Sequence, residues 1–397
     1  MNHFIQVTEA RQIIEKNIFR TKKTELPLLE TLGFYTAEAV YATIDVPSFD
    51  NSAMDGYGFI YVNPKNKGWK IIGEVSAGHS AHALKVGEGE AVRIFTGAPI
   101  PGGVDTVIMQ EKVEVSGGFV SFDYSAVNKG DNIRHRGSQT EKGELILPEN
   151  TFISHSVIGF LAGFGIEKIT VFEPVKIGLL YTGNELVEVG QPLTDGKIYN
   201  SNAYTLQAAL AEINQRFSLV KHVEDTAEST FTAIEDALGQ VDVLLITGGI
   251  SVGDYDYVKP SLEKLGVEEL FYKIKQKPGK PLFFGKLKQK YVFALPGNPA
   301  SVFSCYHQYV KPFVLGCFGR EDFYKDEDWA VMETTEKKKN KQLTLFLKAR
   351  YSHGKVRVLN GQESYKMNSA AQANCLMEFP DGIEEIKAGE KVKIWKI

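Results

Sequence analysis

At 397 residues, with 43% hydrophobic and 24% charged side chains, the chain can bury a large core and has the length for about two to four domains. Its 45 Lys and Arg are outnumbered by 49 Asp and Glu, a formal charge of −4, which excludes a broad nucleic-acid footprint and requires a bound anion to be held by a local cluster. Cys305, Cys317 and Cys375 are widely spaced, odd in number and form no CxxC pair, so no disulfide framework or zinc site is expected, and a reducing cytoplasm fits.

The opening string MNHFIQVTEARQIIEK places charges where a signal peptide needs an apolar region, and no apolar run approaches membrane-spanning length, so neither export nor membrane insertion is expected. Thr8 can cap a helix over TEARQIIEKNIF, and Leu28, Leu29 and Leu32 have helical spacing after Pro27. From about 46 to 143 short β-rich runs (VRIFTG, TVIMQE, KVEV, FVSF) alternate with glycine turns, and helical character returns in SHSVIGFLAGFG. This order predicts a β domain, 46–143, inserted into a helical or linker domain formed by 1–45 and 144–173.

Residues 174–325 alternate strand and helix: VKIGLLYTG, SNAYTLQAALAEI, FSLVKHVED, TFTAIEDALG, VDVLLITGG, KQKYVFALPG and ASVFSCYHQYVKPFVLG. Their apolar runs read as strands covered on both faces, in a doubly wound α/β domain. Beyond it, 326–397 begins with the lysine-rich EKKKNKQ, read as a solvated loop, and continues in short strands (TLFLKARY, KVRVLN, CLMEFP, KVKIWKI) of a small barrel or sandwich. The fold class expected is multidomain α/β.

Three strands run into unusual turns, YTGNE, ITGGISVGDYD and LPGNPAS. In an open parallel sheet such turns share the carboxyl edge, where ligands sit. Glycines Gly248 and Gly249 admit close backbone approach, and Ser301 after Pro299 can cap the next helix and aim its amides at an anion. In FYKIKQKPGKPLFFG, Lys273, Lys275 and Lys277 alternate on one strand face, with Lys280 beyond the Pro-Gly turn. An edge strand defended against aggregation would look the same. Beside the glycine turns, anion binding is the better reading. Glu185, Asp225 and Asp256 fall at strand ends of the same domain, and carboxylates mixed with lysines around a polyanion imply a hard cation, most simply Mg²⁺. GxxxxGK[ST], GxGxxG before a helix, HExxH and GxSxG are all lacking, and the eight histidines pair with no nucleophile, so positioned charge rather than covalent catalysis is expected.

The string VPSFDNSAMDGYGF, with Asp50, Asn51, Ser52 and Asp55 close together, is by itself a polar loop. Together with RIFTGAPIPGGVDTVIMQE, GDNIRHRGSQTEKGE, YTGNELVEVGQPLTDGKIYNSN, ITGGISVGDYDYVKP, KPGKPLFFG and LPGNPAS, it closely resembles the molybdopterin molybdenumtransferase family, MoeA, to which the C-terminal region of gephyrin also belongs. The resemblance spans nearly the whole chain in order. It implies a molybdopterin-binding α/β domain and the insertion of molybdate into adenylated molybdopterin with release of AMP. By motif, the family's functional positions fall on Asp55, Thr96, Arg134, Glu185, Asp225, Asp256, Lys273, Lys277, Pro296 and Pro299. The implied roles are metal and adenylate for Glu185, Asp225 and Asp256, phosphate or molybdate for Lys273, Lys277 and Lys280, and substrate contact at Gly248, Gly249 and Ser251. Asp55, Thr96 and Arg134 would complete the pocket.

Two departures stand out. Gln139 occupies a position where the family usually has an acid, and Lys348 one where it tends to carry arginine, which loses the two-pronged grip on an oxyanion. Ser369 matches a family serine and joins Lys348 as a substrate-binding candidate. The resemblance further implies a homodimer whose cleft is completed by the other subunit's β insert, and partners among molybdenum cofactor biosynthesis proteins, including molybdopterin adenylyltransferase. A non-catalytic carrier or scaffold of the same fold, and an adenylating enzyme that consumes ATP, are the competing readings.

Overall fold

Apolar strands flanked by amphipathic helices organise the centre of the molecule. The computed structural model describes residues 4–62, 68–81, 83–250, 256–323 and 326–397. Strands Phe217–Val223, Ile177–Thr182, Val243–Thr247 and Lys290–Leu295 lie side by side and parallel. The sheet continues through an antiparallel pair, Pro281–Leu287 and Glu268–Ile274, and ends with Phe4–Ile5 laid parallel to the latter. The two-residue side-chain period divides each central strand between two cores. Leu179, Leu245 and Phe293 pack with the helices Ser201–Ala211 and Val7–Lys16. Leu180, Leu244 and Val292 pack on the other side with Ala227–Gln240 and Val258–Lys264.

The N-terminal region differs from expectation in three ways. The first helix begins at Val7, one residue before Thr8, with Gln6 at its cap and no side-chain capping bond, because Val7, Ala10 and Ile14 bury one face against the central sheet. Leu28–Thr31 is a single 3₁₀ turn in which Leu28 is buried and Leu29 is 80% exposed. The stretches read as helical also pair as strands: Lys23–Pro27 runs antiparallel to Lys168–Phe172, and Val40–Tyr41 to Leu145–Leu147. The helix His155–Ala162 packs there, capped by Ser154.

A six-stranded sheet lies between these segments, ordered Thr106–Met109, Gly56–Phe59, Glu90–Ile94, Trp69–Val75, Phe119–Ser121, Glu114–Ser116. At the other end of the chain, Glu327–Met332, Thr344–Ser352, Lys355–Val358, Cys375–Phe379 and Lys391–Lys396 close into a five-stranded barrel, since Thr344–Ser352 pairs with both Lys355–Val358 and Cys375–Phe379. Closure leaves little open edge, the start of Thr344–Ser352 being the exception. The lysine-rich run follows the first barrel strand rather than preceding the barrel, and it is not wholly solvated: Lys338 is 8% exposed and donates to the carbonyls of Leu343, Phe379 and Pro380, and burial pushes its pKa down. No helix among the described residues is long and apolar enough to cross a membrane.

Behind the sheet, the helix Pro299–Cys305 widens into a π-helical turn, Tyr306–Val310, before continuing as Lys311–Cys317. His307, on this turn, is half-buried between the Phe303 and Tyr306 rings, and its Nδ1 has no hydrogen-bond partner. Burial, helped by the Lys311 ammonium and only partly opposed by Asp326, pushes its pKa from 6.5 to about 3. An unfolded chain binds a proton there below about pH 6.5 that the folded chain refuses, so stability falls with pH by about 1.4 kcal/mol per pH unit from this residue. His307→Leu should therefore lose less stability than the parent between about pH 7 and 5 in urea unfolding, and equal losses would refute the assignment.

Candidate active site

The three glycine-bearing turns meet at one edge of the sheet. The strands Ile177–Thr182 and Val243–Thr247 are neighbours, while their outgoing connections use helices on opposite faces, Ser201–Ala211 and Val258–Lys264. That divergence opens a crevice at the carboxyl ends of the strands. A cavity of about 650 Å³ occupies it, lined by Gly183 and Glu185 from the first turn, Gly248 and Gly249 from the second, and Pro296 to Pro299 from the third. Asp225, Asp256, Pro281, Ser301 and Tyr365 complete much of the wall.

Glycine is required where the turns touch. At Gly248, with φ +88°, a Cβ would lie 2.8 Å from the Thr182 carbonyl oxygen, and at Gly249, with φ +61°, 2.9 Å from Val258 Cγ2. The Gly248 amide donates to the Leu295 carbonyl at 3.2 Å, which ties the second turn to the end of the third strand.

The carboxylates expected at the site share this cleft. Asp225 Oδ2 accepts from the Asn184 amide at 3.0 Å and so braces the first turn. The Glu185 carboxylate folds back over Gly183, where a Cβ would meet it at 2.8 Å. Asp256 stands close enough to Tyr272 that, after burial, its charge contributes to raising the Tyr272 pKa, and the Tyr272 hydroxyl donates to the Ile250 carbonyl at 2.6 Å. No cluster of three metal-ligating His, Cys, Asp or Glu side chains forms among the described residues. Ser251 lies outside the described residues.

The lysine turn borders the cleft through Pro281. Lys273, Lys275 and Lys277 alternate with the buried Ile274 and Gln276, as the strand period requires, and Lys277 is exposed. Lys273 and Lys280 converge on the Phe4 ring, their Nζ atoms 5.9 and 4.7 Å from its centroid. The segment Gln276–Lys277 also pairs in parallel with Thr344–Leu345, which fastens the turn to the barrel.

Several expectations are corrected. Asn298, not Ser301, precedes the helix; Ser301 is its third residue and 4% exposed, and the Ala300 amide is taken by the Ser364 carbonyl at 3.0 Å rather than left for an anion. Lys348 and Ser369 are buried and spend their donors on backbone. Lys348 Nζ donates to the carbonyls of Gly361 and Lys366 at 2.9 and 2.7 Å, and Ser369 Oγ to Gly361 at 2.6 Å. They hold the loop that brings Tyr365 to the cleft.

Asp55, Thr96 and Arg134 do not line this cavity. They sit in the inserted β region, where Asp55 Oδ1 accepts from the Thr96 amide at 2.7 Å and its hydroxyl at 2.8 Å, bonds that hold the carboxyl below its usual range. Arg134 is exposed on a strand opposite Asn51. Gln139 is exposed, its amide bonded to the Val46 carbonyl. Residues not anticipated include Asn200, which caps the helix Ser201–Ala211, and Asn202, whose side chain donates to the Gly297 carbonyl at 2.8 Å. The NSN string at a strand-to-helix junction was a readable capping signal, whereas Tyr365 arrives from the barrel and had none.

Comparison with known proteins matches the chain in three successive stretches. Residues 5–165 match the MoeA N-terminal region (domain I and II), 178–316 a probable molybdopterin binding domain, and 331–397 the MoeA C-terminal region (domain IV). Similar curated proteins are the molybdopterin molybdenumtransferases of Haemophilus influenzae, 33% identical with 98% of each chain covered, and of Staphylococcus aureus, 31% identical with 98% of this chain and 95% of that one covered. The crystal structure of the molybdopterin biosynthesis moeA protein from Pyrococcus horikoshii OT3 superposes over 100% of both chains with a TM-score of 0.85 at 27% identity. With three glycine turns and three carboxylates gathered on one crevice that the lysine turn touches only through Pro281, and with relatives matched from end to end, the chain belongs to the molybdopterin molybdenumtransferase family.

Proposed function

We propose that the protein is a transferase of molybdenum cofactor biosynthesis that inserts molybdate into adenylated molybdopterin and releases AMP. The observation that carries this reading is the meeting of three glycine turns, three carboxylates and a bordering lysine turn at the switch point of the sheet. Both substrates are anions. Bringing two unit charges to about 4 Å costs about 4 kcal/mol at an effective dielectric near 20, so compensating charge must be fixed beforehand. Lys273, Lys277 and Lys280 supply it toward phosphate and molybdate, and the glycine turns admit the pterin and adenylate backbone closely.

The carboxylates fit a Mg²⁺ ion of the kind held by one or two protein carboxylates together with substrate phosphates and water, rather than by a complete protein cage. Glu185, Asp225 and Asp256 would hold it, and the ion would neutralise charge on the phosphate link that AMP leaves. Asp55, Thr96 and Arg134 would reach a cleft from a second copy of the chain, which requires a homodimer. An active monomer by light scattering would exclude that shared cleft.

The deciding experiment is single-turnover conversion of adenylated molybdopterin with and without molybdate and Mg²⁺, following AMP. Release that depends on molybdate is the expected result. Binding without release would favour a carrier or scaffold, and ATP consumption by the protein alone an adenylating enzyme.

A further inference from the structure

The cationic turn Lys277-Pro278-Gly279-Lys280 presents a difficulty on its inner side. It packs against the start of the helix behind the sheet so closely that a Cβ on Gly279 would lie 2.3 Å from Cys305 Sγ and 3.6 Å from the Ser301 carbonyl oxygen. Cys305 is fully buried and Gly279 beside it is buried too, so the Gly279 carbonyl has no solvent to satisfy it, and a buried acceptor left bare is costly. Gln276 meets that need. Its side chain is wholly buried, and Nε2 donates to the carbonyls of Pro278 and Gly279 at 3.1 and 3.0 Å and lies 3.7 Å from Cys305 Sγ. Its Oε1 accepts from the Tyr309 hydroxyl, which fixes the orientation of the amide.

Tyr309 belongs to the π-helical turn Tyr306–Val310. A widened turn of this kind redirects side chains relative to a regular helix, and here consecutive residues serve different neighbours: Gln308 accepts from Arg11 of the first helix, and Tyr309 reaches Gln276. We propose that Gln276, clamped by Tyr309, is a positioning residue that sets the Lys277–Lys280 turn at the mouth of the cleft. The outer flanks of the turn are held by the pairing of Gln276–Lys277 with Thr344–Leu345 and by the bond from the Ile274 amide to the Lys280 carbonyl at 3.0 Å. The two inner carbonyls are held by the glutamine amide, that of Gly279 together with a weaker, longer bond from Cys305 Sγ at 3.8 Å. The inference rests on the proposed role of Lys277 and Lys280 toward anionic substrate.

Gln276→Leu keeps much of the volume and removes both donors; Tyr309→Phe removes only the hydroxyl that orients the amide and retains the ring. Hydrogen exchange of the peptide spanning 274–281 should accelerate by about tenfold or more in Gln276→Leu and to a lesser degree in Tyr309→Phe, with cooperative unfolding retained. KM for adenylated molybdopterin should rise about tenfold while kcat changes by less than about threefold, and the double variant should be no worse than Gln276→Leu alone. Unchanged exchange in both variants, additive effects in the double variant, or faster exchange with unchanged KM would each overturn the proposal. Should Gln276→Leu fail to fold, Tyr309→Phe decides by the same readings. Failure of the parent protein to release AMP would instead overturn the proposed function, and exchange would still report whether the amide holds the turn.

Discussion

Asp256→Ala and Lys277→Ala should each reduce single-turnover AMP release by about 10²- to 10³-fold, the loss typical of removing one preorganised charge-stabilising group. Asp256 lines the cavity and Lys277 is exposed on the turn that borders it. Both losses act on the same electrostatic problem from opposite signs: one removes an anchor for a cation, the other a cation itself. Neither should unfold the protein, because an exposed lysine stem contributes within about 0.5 kcal/mol and Asp256 is half-buried on the cavity wall rather than in a core. Circular dichroism and the thermal midpoint should match the parent. Full activity in both variants would remove the carboxylate and lysine groups from the mechanism.

Arg11→Met should cost about 3–5 kcal/mol of stability, the range for stripping one partner from a buried ion pair. Arg11 is 9% exposed in the first helix and reaches three parts of the molecule. Its guanidinium donates to Gln308 Oε1 at 2.6 Å and to Glu378 Oε2 at 3.3 Å, and its central carbon lies 4.2 Å from the Trp395 ring centroid. Glu378 also accepts from Trp395 Nε1 at 2.8 Å, so the arginine neutralises a carboxylate seated between the barrel and the sheet. Removing the cation leaves that charge bare. The double variant Arg11→Met, Glu378→Leu should regain much of the loss, since it strips both charges and keeps apolar volume. Urea unfolding followed by tryptophan fluorescence measures both; a double variant no more stable than Arg11→Met would contradict the bare-charge explanation.

What the sequence disclosed depended on how local each cause was. The apolar runs before YTGNE, ITGG and LPGNP announced buried strands, and their abrupt passage into glycine announced an edge where backbone comes close, which Gly248 and Gly249 bear out in their left-handed φ. Lys273, Lys275 and Lys277 were legible because a strand repeats every two residues. Ser301 is no cap because the helix already begins at Pro299 after Asn298, and the Ala300 amide in its first turn is claimed by Ser364, more than sixty residues later. Lys348 and Ser369 carried the expected chemistry in their side chains, but only the folded barrel reveals that Gly361 and Lys366 occupy their donors. The strand Phe4–Ile5 is too short for any periodicity, and Lys338 looked like its solvated neighbours until three carbonyls surrounded it.

The way the β insert is tied at its root has a consequence for assembly of the molecule. Val46 bridges Thr140, Ala42 bonds Glu144 and Gly143 bonds Ala42, so the excursion leaves and returns at one point. Every strand of the six-stranded sheet finds its neighbour inside that excursion, whereas Lys23–Pro27 must await Lys168–Phe172 and Phe4–Ile5 must await Glu268–Ile274. A nascent chain can thus complete the excursion early while Phe4–Ile5 stays unpaired until Glu268–Ile274 has emerged. That short strand waits longest for its neighbour among the strands before the β insert, and a chaperone that shields it would have its longest task there.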